Sequence, residues 1–285
     1  MAQVLTAFCD LQYCPISFDF VTWLVHAALE RERRKCDGLH VVLVPHEGGL
    51  GGFSRKWGAH DEAAARWRLW HIVVASCPLV GATVTVAASR KQAEQLKGDS
   101  FWWPEGKTHH IYPLVDAARN GDAIPKLLAT EQARRYVKQW VDRPYVTLTT
   151  REQSTDPVRN SNRAEWQKLC DSLMSRYGVI WLDDTNKALQ EAAGNYAELD
   201  VDLRLALYEQ AQMNFIGNNG PQALLSFSGA PYRGFIDKAW PEHWKKYFHM
   251  SVGEQLPWAT ENQRLVYKPD TFEVMRDSWD SVTNS

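Results

Sequence analysis

Strand-length apolar runs alternate with helical patterns along most of this 285-residue chain. Residues 39–44 form one such run, typical of a central parallel strand that is buried on both faces. Residues 145–150 form another, and the second half of the chain repeats the alternation from there. This order favours βα units around parallel sheets. We therefore predict an α/β fold with two Rossmann-like, doubly wound domains.

The dipeptide Arg143-Pro144 marks the predicted domain junction, because a residue before proline resists helical angles. A helical pattern over residues 129–141 ends just before it, and a strand pattern follows it. We place the N-terminal Rossmann-like domain at residues 1–142 and the C-terminal one at residues 143–285.

Three local predictions accompany this division. Residues 101–124 have no regular period and are expected to be irregular. Asn162, with Glu165 three residues later, resembles a capping box at the start of a helix. The acidic pair Asp183-Asp184 follows a strand pattern and is read as a solvated loop pair rather than a cation site.

A short strand pattern around Phe215 stops at Asn218-Asn219-Gly220 and gives way to helical spacing from Pro221 onward. Asn tolerates left-handed backbone angles, and Gly allows a ligand to approach the backbone closely. A small-residue turn that opens a helix presents unpaired N–H groups to an anion. The turn therefore predicts an anion seat formed by the amides of Asn219, Gly220 and Gln222, with an ordinary strand-to-helix turn as the alternative.

Composition excludes several classes of protein. The net charge of −2 gives no field that would attract nucleic acid. The five cysteines have no CxxC or Cys/His zinc spacing, so we expect reduced thiols, a cytoplasmic location and no bound metal. No apolar run reaches the ~18–20 residues that a membrane span needs. Oligomeric state stays open.

Four sequence segments carry a resemblance to a known family. The chain resembles GT-B glycosyltransferases, and more narrowly glycosyltransferase-like proteins of bacterial surface-polysaccharide loci, through the segments Phe18-Asp19-Phe20, Arg66-Trp67-Arg68-Leu69-Trp70-His71-Ile72-Val73-Val74, Arg159-Asn160-Ser161-Asn162 and Asn218-Asn219-Gly220-Pro221. The resemblance implies a GT-B-like arrangement, in which the two Rossmann-like domains face each other across a cleft. It also implies a nucleotide-sugar donor held mainly by the second half and a glycan or small-molecule acceptor facing the first. The nucleotide sugar is then a substrate, and no cofactor is expected.

Glycosyl transfer needs cations or amides for the phosphate leaving group, and the second half supplies them. Arg151 follows a strand pattern and has bidentate geometry, although it could instead pair with Glu152 or Asp156. Arg159 and Asn160 form a polar cluster ahead of a helix. Ligands of open α/β sheets bind outside the carboxyl ends of strands, where Arg151 and Asn218 meet if their strands are neighbours. We predict donor binding by Arg151, Glu152, Arg159, Asn160, Asn218, Asn219, Gly220 and Gln222.

Inversion at the sugar also needs a base for the acceptor hydroxyl, and three candidates follow strands of the first half. His46 and Glu47 follow residues 39–44, and Asp10 ends the first strand pattern. Each could instead be structural. The loop with Gly48, Gly49 and Gly51 is too rich in glycine for a minimal turn and is expected to cover or approach a substrate.

The predicted activity is metal-independent glycosyl transfer from a nucleotide sugar. Two alternatives stay open at this point. A nucleotide-sugar epimerase or hydrolase would use the same scaffold without an acceptor, and a non-catalytic protein would bind a nucleotide or a phosphorylated metabolite in the same seat.

Overall fold

The computed structural model describes residues 2–47, 62–106, 109–153, 157–185, 200–236 and 241–283. The chain divides into two compact units, Met1–Leu128 and Ala129–Ser285. Each unit is built on one parallel β-sheet. The prediction of two Rossmann-like α/β units is confirmed. No helix within the described ranges is both long enough and apolar enough to cross a membrane.

The first unit contains a four-stranded sheet in the order β3-β2-β1-β4. Its strands are β1 (Val4–Asp10), β2 (Gly38–Val44), β3 (Thr83–Val86) and β4 (Phe101–Trp102). Its helical segments are α1 (Asp19–Arg33), α2 (Glu62–Arg68), a π-helical turn (Leu69–Val74), a 3-10 turn (Cys77–Val80), α3 (Arg90–Gln95) and α4 (Tyr112–Arg119).

The second unit contains a five-stranded sheet in the order β6-β5-β7-β8-β9. Its strands are β5 (Tyr145–Glu152), β6 (Gly178–Thr185), β7 (Met213–Ile216), β8 (Tyr232–Phe235) and β9 (Gln263–Val266). Its helical segments are α5 (Glu131–Trp140), a 3-10 turn (Pro157–Arg159), α6 (Arg163–Leu173), α7 (Val201–Gln210), α8 (Gln222–Ser226), α9 (Pro241–Phe248) and α10 (Phe272–Thr283).

Alternating side chains of the first sheet pack on opposite faces, as the period of two in a strand requires. Leu5 and Val41 belong to the larger core cluster, which also contains α1 residues such as Trp23. Phe8 and Val42 belong to a smaller cluster on the other side, with Ala93 of α3. Because both faces are covered, the strands read as apolar runs in the sequence.

The two faces of the second sheet differ in chemistry. One face carries Val146 and Leu148, which pack in a core cluster with α6 and α10. On β5, Thr147 and Thr149 alternate with these residues: Thr147 Oγ1 donates to Asn214 Oδ1 at 2.6 Å, and Thr149 Oγ1 lies 2.9 Å from the Tyr208 hydroxyl. These buried polar groups are satisfied within the unit, so this face is held by specific hydrogen bonds as well as by apolar burial.

Helix α5 belongs to the second unit, whereas the sequence analysis places the junction after it. Arg134 on α5 forms an ion pair with Glu209 on α7, with Nε and Oε2 2.7 Å apart. Just before α5, Thr130 donates from its hydroxyl to Asp202 Oδ2 at 2.5 Å. Pro144 does follow the end of the helical region. The long-range contacts with α7 assign α5 to the second unit, and the sequence does not reveal those contacts.

The prediction that residues 101–124 are irregular is wrong. This segment contains β4, which pairs with β1 through Ala7 and Trp102, and it contains helix α4. A two-residue strand is too short to show a period. Helix α4 begins beside Pro113, which is tolerated in the first turn.

Candidate functional site

The carboxyl edge of the second sheet has a topological switch point between β5 and β7. From β5 the chain passes to β6 on one side and then to β7 on the other side of β5. In open α/β sheets, ligands bind outside the carboxyl ends of strands at such a point. The two strands are parallel neighbours, and the Gly217 N–H donates to Thr149 O at 3.0 Å. Arg151 near the end of β5 and Asn218 after β7 are thus at the same edge, as the sequence predicts.

A short segment before α6 folds back onto the end of β5. Ser161 N–H donates to Arg151 O, and Arg151 N–H donates to Ser161 Oγ, both at 3.0 Å. Asn160 Oδ1 accepts from Arg151 Nη1 at 2.5 Å and from Gln153 N–H at 2.9 Å. Arg151 is 7% exposed, so these contacts fix a largely buried guanidinium at the switch point.

Gly217 lets the chain approach Ser161 closely. A β-carbon on Gly217 would stand 2.8 Å from Ser161 Oγ, which is too short for an ordinary contact. Ser161 is the residue that binds both backbone groups of Arg151. The absence of a side chain at position 217 therefore gives Ser161 Oγ the space to accept from Arg151 N–H.

Arg159 ties the same segment to the turn after β7. Its Nη2 donates to Asn218 O at 3.0 Å and lies 3.3 Å from Asn218 Oδ1. Arg151 and Arg159 therefore bring two guanidinium groups to one end of the sheet. Glu152, the last residue of β5, is exposed.

Asn219 is 5% exposed, and neither Oδ1 nor Nδ2 of its side chain has a hydrogen-bond partner among the described residues. Leaving a buried polar group unsatisfied costs about 1–3 kcal/mol. The N–H groups of Asn219 and Gly220 likewise make no hydrogen bond within the described part of the chain. A ligand with donor and acceptor atoms would satisfy this set of groups.

The amide of Gln222 is already used, in contrast to the sequence expectation for the anion seat. Its N–H donates to Asn219 O at 3.2 Å. Helix α8 spans only five residues, so its dipole is small, and the seat is better described as the 218–220 turn. The Gln222 side chain lies at the next strand: its Nε2 would be 2.8 Å from a β-carbon on Gly234 of β8.

The carboxyl edge of the first sheet holds Asp10, the last residue of β1. Arg90 binds both carboxylate oxygens: Nη1 donates to Oδ1 at 2.9 Å and Nη2 to Oδ2 at 2.5 Å. Gln12 N–H donates to Oδ1 at 3.0 Å. The hydrogen bond with Asp10 is the largest cause of the raised pKa of Arg90, and the charge of Glu47 raises that pKa further.

His46 and Glu47 follow β2 at the same edge, where His46 is half-buried and Glu47 is exposed. All three candidate bases therefore lie at the carboxyl ends of two adjacent strands, β1 and β2. Gly48, Gly49 and Gly51 of the predicted substrate loop lie outside the described residues.

Sequence reasoning missed Arg90 and Ser161. Arg90 is the first residue of α3, directly after its N-cap Ser89, and it lies 80 positions from Asp10 in sequence. A rule that places the residues after each parallel strand at one edge would have found Arg90, which follows β3. The sequence signal for Ser161 is weaker, because its contacts depend on a residue without a side chain at position 217, which is distant in the sequence.

Asp183 lies within β6 rather than in a loop after it. Its Oδ1 accepts from Thr150 Oγ1 at 2.7 Å, Arg163 Nη1 at 2.5 Å and Trp181 Nε1 at 2.9 Å. The sequence interpretation of a solvated loop pair is therefore replaced by a carboxylate fixed within the unit. In the described ranges, no group of three or more His, Cys, Asp or Glu residues is arranged to hold a metal ion.

Comparison with solved structures gives matches over nearly the whole chain. The ADP-heptose LPS heptosyltransferase II of E. coli is similar with a TM-score of 0.52 and 11% identity, and the match covers 98% of both chains. A glycosyltransferase family 9 protein of Veillonella parvula has a TM-score of 0.49 and 10% identity over 99% of this chain and 88% of its own. The E. coli heptosyltransferase WaaC with ADP-2-deoxy-2-fluoro heptose has a TM-score of 0.45 and 11% identity over 99% of both chains.

No protein-family model and no curated protein matches the sequence. At this low identity the likeness to heptosyltransferase II is one of fold. It confirms the predicted GT-B-like α/β fold of two parallel-sheet units.

Proposed function

We propose that this protein is a glycosyltransferase that moves a sugar from a nucleotide-sugar donor to a glycan or small-molecule acceptor, without a catalytic metal. The observation that carries the proposal is the switch point of the second sheet. Two guanidinium groups lie there, together with two backbone N–H groups and an Asn219 side chain that have no hydrogen-bond partner among the described residues. The fold shared with a heptosyltransferase supports the reaction class.

The leaving group of such a reaction is a nucleoside diphosphate, and the second unit carries the groups that would stabilise it. Arginine binds phosphate oxygens through two parallel N–H donors. Arg151 is held by Asn160, and Arg159 by Asn218, so both are in place before a ligand arrives. Donors that are already positioned lower the barrier, because they need no reorganisation as charge develops on the leaving oxygen.

For the acceptor hydroxyl, we propose Asp10 as the general base. Geometry comes first in assigning a base, and Asp10 is fixed by hydrogen bonds from Arg90 and Gln12. The hydroxyl proton passes to Asp10 as the acceptor oxygen bonds to the anomeric carbon. The bond from that carbon to the phosphate oxygen breaks, and its electron pair leaves with the nucleoside diphosphate. Glu47 and His46 are the other candidates at this edge.

The first test is a thermal-shift screen with nucleoside diphosphates and with ADP-, GDP- and UDP-linked hexoses. A ligand at ~100 times its dissociation constant adds about 2.7 kcal/mol of stability, which is readily detected. Incubation of the selected donor with a panel of mono- and oligosaccharides then tests transfer. Release of free sugar at the same rate with and without acceptor would identify a hydrolase. Donor binding with neither transfer nor release would identify a non-catalytic binding protein.

Donor binding is localised by calorimetry with Arg151→Ala and Arg159→Ala. Loss of a charge-assisted contact is worth about 1–3 kcal/mol, or roughly 5–150-fold in the dissociation constant. Arg135→Ala is the matched control, because Arg135 forms an exposed ion pair with Glu131 on α5 of the same unit. Equal donor affinity in Arg151→Ala, Arg159→Ala and the control would remove the switch point from the donor site.

A cytoplasmic location is part of the proposal, because nucleotide sugars are its substrates. All five cysteines are buried and unpaired in the structure, which is compatible with a reducing compartment.

A further inference from the structure

Arg90 spans the carboxyl edge of the first sheet. It begins α3, directly after β3, and its guanidinium reaches past β2 to Asp10 at the end of β1. On the way Nη1 also lies 3.4 Å from the carbonyl oxygen of Pro45, the residue after β2. A single side chain thus connects the ends of three adjacent strands, and two of them carry the candidate bases.

The hydrogen bonds on Asp10 leave a defined part of the carboxylate open. A carboxylate has about four acceptor positions, two on each oxygen. Oδ1 accepts from Arg90 Nη1 and from Gln12 N–H, and Oδ2 accepts from Arg90 Nη2. Among the described residues this leaves one position, and it is on Oδ2. The Asp10 side chain is 5% exposed, so the carboxylate cannot turn freely to offer another.

We infer that Arg90 is a positioning residue for glycosyl transfer: it fixes Asp10 so that the remaining acceptor position of Oδ2 takes the proton of the acceptor hydroxyl. This inference rests on the proposed function. Arg90 does not touch the sugar in this scheme. Its two parallel hydrogen bonds fix the plane of the carboxylate.

The two parallel hydrogen bonds from Arg90 distinguish a positioning role from a purely electrostatic effect of its charge. Glu47 also interacts electrostatically with Arg90, so removal of either charge changes the field at this edge. In the part of the chain that the structure describes, however, Arg90 alone donates to both oxygens of Asp10. A lysine at position 90 would keep the charge and lose the two parallel bonds.

The experiment compares Arg90→Gln, Arg90→Lys, Asp10→Asn and the double variant Asp10→Asn/Arg90→Gln, using the donor and acceptor selected by the screen above. Lys91→Gln is the matched control, because Lys91 is the exposed neighbour of Arg90 on α3. We expect Arg90→Gln to lower kcat by about 10–100-fold, which is less than the ~10²–10⁴-fold of a general base itself, with the donor KM changed less than threefold. Arg90→Lys should recover part of that loss.

Residues that act as a unit are not additive, and this gives the decisive readout. The double variant is expected to be about as slow as Asp10→Asn alone. It also avoids a buried, unpaired charge, so it stays informative if Arg90→Gln does not fold. Multiplied losses in the double variant, or a kcat within threefold of wild type in Arg90→Gln, would overturn the role of Arg90. Absence of transfer in the wild type would instead overturn the proposed function, and the inference with it.

Discussion

Gly217→Ala should destabilise the protein by breaking the hydrogen bond between Arg151 N–H and Ser161 Oγ, two residues that are distant from Gly217 in the sequence. The new β-carbon would meet Ser161 Oγ at 2.8 Å, so Ser161 has to turn away. Ser161 Oγ is the acceptor for the buried Arg151 N–H, which would then be left unsatisfied. That loss costs about 1–3 kcal/mol, partly offset by the smaller unfolded-state entropy of alanine, about 0.4–1 kcal/mol. We expect a net loss of about 1–2 kcal/mol.

Three variants and urea unfolding test this reasoning. Ser161→Ala removes the same hydrogen bond directly, so the double variant Gly217→Ala/Ser161→Ala should be no less stable than Ser161→Ala alone. Gly229→Ala is the matched control, since a β-carbon there meets nothing within 4 Å. It should change stability by less than about 0.5 kcal/mol.

Two results would refute the steric argument: wild-type stability in Gly217→Ala, or destabilisations that add in the double variant. Calorimetry on the same variants separates stability from function. Because Ser161 also holds the segment that carries Asn160 and Arg159, donor affinity should fall together with stability in Gly217→Ala, and not in Gly229→Ala.

Three further predictions concern other parts of the molecule. Gln263→Leu should cost about 2–4 kcal/mol in urea unfolding, because Gln263 Nε2 donates to the buried carbonyls of Leu225, Ser228 and Ala230, and wild-type stability would contradict this. Burial lowers the pKa of His26 to about 4, so between pH 6.5 and 4 the unfolded chain binds a proton that the folded protein does not. The free energy of unfolding should therefore decrease as the pH is lowered from 6.5 to 4, by about 1.4 kcal/mol per pH unit at most. The variant His26→Gln should lose that dependence. Finally, a single base-assisted displacement inverts the anomeric centre, so NMR of the product should show inversion, and retention would exclude this mechanism.

In the second sheet, local sequence pattern predicts individual strands and turns but not which strands are neighbours. The strand containing Phe215 and the turn at Asn218 follow from apolar period and small residues, and both are present. The neighbour of that strand does not follow from local pattern. The rule that ligands bind at the carboxyl ends of strands requires the strands of Arg151 and Asn218 to be neighbours. In the structure β5 pairs with β7, so the two strands are neighbours. The meeting of Arg151 and Asn218 is therefore a conditional prediction from the sequence, and the structure supplies the condition.

Capping at α6 shows where local pattern fails. Asn162 makes no side-chain cap, although the spacing to Glu165 fits a capping box. Instead, the Asp270 carboxylate accepts from Asn162 N–H at 3.2 Å and from Trp166 Nε1 at 2.5 Å. Glu165 in turn accepts from Phe272 N–H at the start of α10, at 2.8 Å. The two helix starts exchange caps across about a hundred residues, and a local motif cannot describe such an exchange.

The same distinction explains which site residues could be found. Asp10, Glu47, Arg151 and Asn218 follow strand patterns, so a rule about strand ends reaches them. The hydrogen bonds that fix them come from elsewhere: Arg90 binds Asp10 from 80 residues away, and Arg159 binds Asn218 from 59 residues away. The sequence therefore predicts the candidate groups, whereas long-range packing determines their orientation. Positioning, on which the proposed transfer depends, is the part that required the structure.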